Sequence, residues 1–247
     1  MSMNIKRTAL NLIPARLMEL LRRLRAKFFD IYAVKAYSQE GEDMILQRIF
    51  ADKAHGFYVD VGAHHPRRFS NTYLFYRRGW KGINIEPNPD ITAAFRRERK
   101  RDINLQVGVS DRTGTLTYYV FNDPALNSFD GELTASRVLS TPYKVLETKE
   151  IAVERLDVIL EKYLPIDVKI DFLSIDVEGL DMAVLQSNNW HVFRPRYVLA
   201  ESLDTSLENA MQGKVFAFMK SHGYELFAKT YNTLIFREKD DDDRECV

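Results

Sequence analysis

Phe57-Tyr58-Val59-Asp60-Val61-Gly62-Ala63 decides the fold of this chain. Its aromatic and β-branched residues read as a buried strand, and the glycine that follows lets the backbone turn tightly and come close to a ligand. Asp60 offers a carboxylate beside that turn, suited to an ammonium group or an ordered water. His64-His65-Pro66 follows where a dinucleotide fingerprint would need two more glycines. A nicotinamide dinucleotide is therefore the weaker cofactor reading, and a plain strand-to-loop turn is the bland one.

Outward from this strand, apolar runs and helical patterns alternate from Ser38 to Arg237. Strands are expected at Gly82–Ile85, Ile103–Val109, Thr115–Phe121, Phe172–Ile175 and Tyr197–Ala200. Helices are expected at Asp43–Phe50, Asn71–Arg78, Leu156–Tyr163, Met182–Gln186 and Leu207–Ser221. Another helix opens at Asn88-Pro89-Asp90, with Asn88 as N-cap and Pro89 in the first helical position. Asp123–Glu147 reads as a long loop. Tyr224–Phe227 and Thr233–Phe236 read as a closing hairpin. Alternating strands and helices predict a Rossmann-like α/β domain over 37–237, with a mainly parallel sheet and an antiparallel C-terminal edge hairpin.

Two segments flank it. Over Met1–Asp30 there are seven basic side chains against two acidic ones. Leu10, Ile13, Leu17, Leu20, Leu21, Leu24 and Phe28 recur there at helical spacing. Residues 1–36 therefore read as a basic amphipathic helical extension. Its stretch 8–29 packs on the domain or a second subunit, or lies on an anionic membrane surface. Residues 238–247 read as an acidic disordered tail. Lys plus Arg (35) equals Asp plus Glu (35), so no global field recruits nucleic acid. The single cysteine, Cys246, leaves no internal disulfide and no thiolate zinc site. No apolar run approaches the ~18–20 residues that cross a bilayer, and the protein reads as cytoplasmic or peripheral at the inner membrane surface.

Ligands of open α/β sheets bind beyond the carboxyl ends of the strands. The second strand ends Ile85-Glu86-Pro87, a little over twenty residues after the glycine turn, where an acid is placed to accept both ribose hydroxyls. Pro87 offers an apolar edge to a purine. The third expected strand ends Val109-Ser110-Asp111, whose short polar groups suit the adenine amino group or an ordinary turn. The sharpest signal is Ser174-Ile175-Asp176-Val177-Glu178-Gly179, a buried strand presenting two acids. A carboxylate in hydrogen-bond reach of a hydroxyl can act as general base. Asp176 and Glu178 can instead hold a divalent cation, or Glu178 can cap the next helix.

These residues resemble the FkbM-type methyltransferases. The carriers are Tyr37-Ser38-Gln39-Glu40-Gly41-Glu42-Asp43, Asp60-Val61-Gly62-Ala63, Ser70-Asn71-Thr72 and Gly79-Trp80-Lys81-Gly82 leading to Ile85-Glu86-Pro87. Val109-Ser110-Asp111, Leu156-Asp157 and Ile175-Asp176-Val177-Glu178-Gly179 complete the set, from Tyr37 to Ser202. The resemblance implies a class I methyltransferase fold and methyl transfer from S-adenosylmethionine to oxygen, on a sugar, glycan, glycolipid or natural-product acceptor. It implies a cofactor site of Gln39, Asp43, Asp60, Gly62, Ala63, Glu86, Pro87, Ser110 and Asp111, with Asp176 and Glu178 at the reacting centre. His64 is a further base candidate, because imidazole titrates near neutral pH. His65, Asn127, Ser128 and Glu201, with Arg67 and Arg68, are candidates for the acceptor. The basic run Arg96, Arg97, Arg99, Lys100 and Arg101 reads as a solvated helix end. A catalytically silent module that binds a partner or a membrane is the competing reading.

Overall fold

The structure is a computed structural model that describes residues 14, 16–20, 33–203 and 206–239. It divides into two units, Met1–Lys35 and Ala36–Val247. In the first, residues 16–20 are helical and Leu17 and Leu20 are exposed. Pro14 is described and lies outside that helix, and the other residues of the expected helix over 8–29, the tail beyond Lys239 and Cys246 lie outside the described residues. No helix among the described residues is long and apolar enough to cross a membrane.

The second unit is built on a seven-stranded sheet with the order β3-β2-β1-β7-β8-β10-β9. Its strands are β1 (Phe57–Val61), β2 (Lys81–Ile85), β3 (Ile103–Leu105), β7 (Phe172–Ile175), β8 (Tyr197–Glu201), β9 (Tyr224–Lys229) and β10 (Thr233–Glu238). The first five run parallel, and β10 runs antiparallel to both its neighbours. The expected terminal hairpin is present, but its antiparallel member is the inner strand and β9 forms the edge. Strand order reverses between β1 and β7, which makes the carboxyl ends of these two strands the topological switch point.

Both faces of the sheet are covered, so β1 and β7 are buried at every position. The period of two sorts their side chains. Val59, Val61, Leu173 and Ile175 enter one core with Ile83, Ile85 and Leu185. Tyr58 and Phe172 enter the other with Phe50, Phe75, Trp80 and Leu199. The same alternation puts Asp60 and Ser174 on that second face, one step nearer the carboxyl ends. Register then aligns Asn104, Asn84, Asp60 and Ser174 as one polar row across β3, β2, β1 and β7.

The helices are α1 (Glu42–Ile49), α2 (Tyr73–Arg77), α3 (Pro89–Glu98), α4 (Gly131–Ser140), α5 (Leu156–Tyr163), α6 (Asp181–Gln186), α7 (Leu207–Ala210) and α8 (Lys214–Ser221). The start of α3 is as read: the Asn88 side chain accepts from Asp90 N at 3.0 Å and Pro89 opens the helix. Three expectations are corrected. The strand expected over Ile103–Val109 splits, because the chain leaves the main sheet after Leu105 and β4 (Gly108–Val109) joins a second sheet of order β4-β6-β5. The long loop expected over Asp123–Glu147 holds a 3-10 turn at Pro124–Leu126, helix α4 and the start of β6 (Val145–Glu154), which pairs with β5 (Gly114–Phe121). Asp130 caps α4 by accepting from Glu132 N and Leu133 N, both at 2.9 Å. The single helix expected over Leu207–Ser221 breaks at Met211–Gly213, where Gly213 caps α8.

Trp80 is fully buried, with ring centroids 4.8 Å from Phe75 and 5.2 Å from Phe50. Its indole N–H has no partner. Trp80→Ala is expected to lower unfolding free energy by about 3–5 kcal/mol in urea titration. Trp80→Phe should cost clearly less, because it keeps the ring packing and removes an unsatisfied donor.

Candidate active site

The loops after β1 and β7 nearly touch. Gly62 takes a φ of +77°, and a Cβ there would lie 1.8 Å from the Asp176 carbonyl oxygen. Gly62 N and Ala63 N donate to Ile85 O at 3.0 and 3.2 Å, and Asp176 N donates to Val61 O at 3.0 Å. Three strand ends are thereby locked around one point. The cleft above it is lined by Gln39, Asp60, Gly62, Ala63, His64, Phe69, Asn71, Glu86, Pro87, Asp176 and Glu178, among others. Its far wall comes from the second sheet and its turn: Val107, Gly108, Val109, Tyr118, Asn127 and Phe129.

Glu86 stands at the end of β2, buried, and each carboxyl oxygen accepts one backbone N–H: Oε2 from His64 at 3.0 Å and Oε1 from Asn88 at 2.8 Å. Burial pushes its pKa up to about 7, against the pull of these two donors. Asp60 is buried and accepts from Thr72 Oγ1 at 2.7 Å. Burial raises it to about 6, opposed by Thr72 and by Arg99. His64 holds a left-handed φ of +51° and its ring stacks near Phe69, centroids 6.3 Å apart. Its Nε2 is buried without a partner, and burial with nearby Arg68 lowers its pKa. Asn71 donates to Ser174 Oγ at 3.0 Å, which ties the loop before α2 to β7.

Opposite them lies a rim of acids. Asp176 opens onto the cleft and keeps a large accessible surface. Crowding by protein atoms, then Glu201, Glu178, Asp60 and Glu42, push it well above the usual carboxylate range. Because the cleft is open, its desolvation is felt in full only when a ligand fills the space. Glu178, at a φ of +55°, pairs with Arg137 of α4, and Ser128 Oγ donates to its carbonyl at 2.7 Å. Asp181 caps the 177–179 turn and is pushed up to about 7 by burial and by Asp176. Among the described residues no three His, Cys, Asp or Glu are disposed to hold a metal ion.

The order of these motifs has a counterpart among known proteins, for residues 60–226 match the Methyltransferase FkbM domain. The chain belongs to the FkbM methyltransferase family. No curated protein matches it. A crystal structure of a TehB-like SAM-dependent methyltransferase from Corynebacterium glutamicum ATCC 13032 Kitasato is 10% identical over 92% of this chain and 100% of that one. Its TM-score of 0.36 is too low to carry an argument.

Of the site residues expected for an FkbM methyltransferase, Gln39, Asp60, Gly62, Ala63, His64, Glu86, Pro87, Asn127, Asp176 and Glu178 share the cleft. Eight others are absent from its wall, Arg67 and Arg68 among them. Asp43 is turned inward, accepting from Tyr37 N at 2.7 Å and Ser38 Oγ at 2.8 Å. Ser110 and Asp111 sit past the point where β4 leaves the cleft, so Val107–Val109 take their place. His65 is exposed and its Nδ1 accepts from Arg67 N and Arg68 N, both at 3.0 Å. Ser128 holds the Glu178 carbonyl from behind. Glu201 acts on Asp176 through its charge, and is itself pushed to about 8 by burial and by Asp181. Phe69, Asn71, Tyr118, Phe129 and Ser174 were missed. Asn71 lay in a quoted motif, and Ser174 is two residues before Asp176 on a period-two strand.

These raised carboxyls fix a sign for stability. A folded-state pKa above the unfolded value of ~4 means that the native state binds more protons in between. Stability from Glu86, Asp181 and Glu201 is thus fullest at low pH and is lost as pH rises through about 7 to 8. His64 and His65 act oppositely, but only below their ordinary 6.5. The melting temperature of the ligand-free protein is expected to fall between pH 6.5 and 8, as read by differential scanning fluorimetry.

Proposed function

We propose that the cleft binds S-adenosylmethionine and that the protein transfers its methyl group to a hydroxyl oxygen of a sugar, glycan, glycolipid or natural-product acceptor. The carrying observation is the convergence of Asp60, Glu86 and Asp176 on one cleft around Gly62. The residues fit the donor. Each oxygen of Glu86 has spent one lone pair on a backbone N–H, and the remaining ones suit two ribose hydroxyls. Thr72 takes only Oδ2 of Asp60, which leaves Oδ1 for an ammonium group. Val107, Val109, Tyr118 and Phe129 supply apolar and aromatic surface for a purine. Asn127 Oδ1 accepts from Phe121 N at 2.8 Å, while its buried Nδ2 makes no hydrogen bond and suits a ring nitrogen.

When bound, the sulfonium supplies an electrophilic methyl carbon. The protein's part is to align an acceptor oxygen with that carbon, exclude water and take up a proton. With the donor in place, Asp176 would accept the proton that the acceptor hydroxyl gives up. A carboxylate whose basicity is raised by the crowding of protein atoms and by Glu201 and Glu178 is a stronger base than an ordinary one, and Asp176 lines the cleft. Asn71 and Gln39 also line the cleft and offer neutral hydrogen-bonding groups.

Calorimetric titration with S-adenosylmethionine is expected to give heat, and a dinucleotide none; the reverse, or silence with both, overturns the reading. Affinity should tighten as pH rises from about 5.5 to 7.5, because Asp60 and Glu86 accept best when ionised. Asp176→Asn should keep donor affinity within about twofold and lower kcat by about 100-fold or more. Unchanged turnover in that variant removes Asp176 from the chemistry.

A further inference from the structure

Arg99, in the basic run after α3, is not on the solvated face: it is completely buried. Its Nε donates to Asp102 Oδ2 at 3.0 Å, and Nη1 donates to Pro66 O at 2.9 Å. Nη2 donates to Tyr58 Oη at 3.0 Å and to Thr72 Oγ1 at 2.8 Å. Tyr58 Oη in turn donates to Asp102 Oδ2 at 2.6 Å, and Gly82 N and Asn84 Nδ2 donate to the same carboxylate at 3.1 and 3.0 Å.

A buried ion pair is seldom more stable than well-packed apolar residues of the same volume, so stability alone is a weak account of this one. What an apolar group would not do is reach the cleft. Thr72 Oγ1 receives from Arg99 and gives its own proton to Asp60 Oδ2 at 2.7 Å, a chain of hydrogen bonds in which each polarises the next. Pro66, held by the same guanidinium, lies between His64 and Phe69 in the loop that lines the cleft.

We propose that Arg99 is a positioning residue for the methyl-donor site, orienting the Asp60 carboxylate through Thr72 Oγ1 and fixing the 63–72 loop through the Pro66 carbonyl. This rests on the reading of Asp60 as the partner of the donor's ammonium group. Donor affinity then carries the mark of the relay. Arg99 and the Thr72 hydroxyl favour the ionised form of Asp60 and Asp102 opposes it, while Asp60 in turn raises its acidic neighbours Glu86 and Asp176. Without the relay Asp60 holds its proton to a higher pH, and the acid limb of donor binding moves upward.

The test is calorimetric titration of the full chain with S-adenosylmethionine from pH 5.5 to 8.5, on wild type, Thr72→Val, Thr72→Ser and Arg99→Lys. Thr72→Val keeps the shape and loses the hydroxyl. It is expected to bind about tenfold more weakly at pH 7, as loss of a hydrogen bond to a charged group implies, with its acid limb at higher pH. Thr72→Ser restores the hydroxyl and should bind within about twofold of wild type. Arg99→Lys keeps the charge, loses the fork and should move the limb in the same sense as Thr72→Val. Folded Thr72→Val and Arg99→Lys proteins with wild-type affinity and an unmoved acid limb overturn the assignment, even if both melt earlier. Absence of heat in wild type overturns the donor reading itself and this assignment with it.

Discussion

The close approach of Gly62 to the Asp176 carbonyl is the constraint from which the rest of the site follows. Two parallel strands can end side by side at a switch point only if their loops diverge or if one carries no side chain where they meet. Here they meet. A Cβ at Gly62 would fall inside the carbonyl oxygen's contact radius, and the +77° φ is one that L side chains rarely adopt. With nothing between them, the loop after β1 folds over β2 through Ile85 O, and the loop after β7 folds back through Val61 O. The acids at the three strand ends therefore face a common space.

Alternation along the strands does the remaining placement. Tyr58 and Asp60 share a face of β1, as Phe172 and Ser174 share that face of β7. The inner pair is aromatic and packs under α2. The outer pair is polar and reaches Thr72 and Asn71. One sheet face is thus core at its amino end and site at its carboxyl end. The row Asn104–Asn84–Asp60–Ser174 marks the border between them. Buried Arg99 and Asp102 lie along this border, where polar groups of the sheet need partners that water cannot supply.

Much of this was legible in the residues because the signals were local. The strand–glycine–acid pattern at Val59–Ala63, the acid at Glu86 and the pair at Asp176 and Glu178 each depend on a few neighbours along the chain. The start of α3 was equally plain, since Asn88 and Pro89 cap a helix by short-range hydrogen bonding and fixed φ. What escaped depends on long-range pairing. Nothing near Val107 announces that the chain leaves one sheet for another, for β4 is two residues long and gains its place from β6, over forty residues later. Helix α4 opens on a glycine after Asp130 in a polar stretch, so its apolar period is faint. Arg99 looked like its neighbours Arg96, Arg97 and Lys100, because one-dimensional charge runs do not reveal which member points inward. The displacement of Ser110 and Asp111 from the cleft follows from the same sheet change.

The concentration of acids in and behind the cleft sets function against stability. Asp60, Glu86, Asp176, Glu178, Asp181 and Glu201 all sit above the ordinary carboxylate range because crowding by protein atoms and mutual repulsion disfavour their charge. Among the described residues, only Glu178 of these acids has a cation in direct contact, Arg137, while Arg99 touches Asp60 through Thr72. In a chain with equal numbers of acids and bases, such an imbalance is local and not a consequence of overall charge. A fold selected for stability alone would disperse these groups or pair them. On the proposed function, the missing positive charge is that of the donor's ammonium and sulfonium groups. On that reading the donor's positive charge would relieve the repulsion among these acids, so that binding and stability draw on the same electrostatic source.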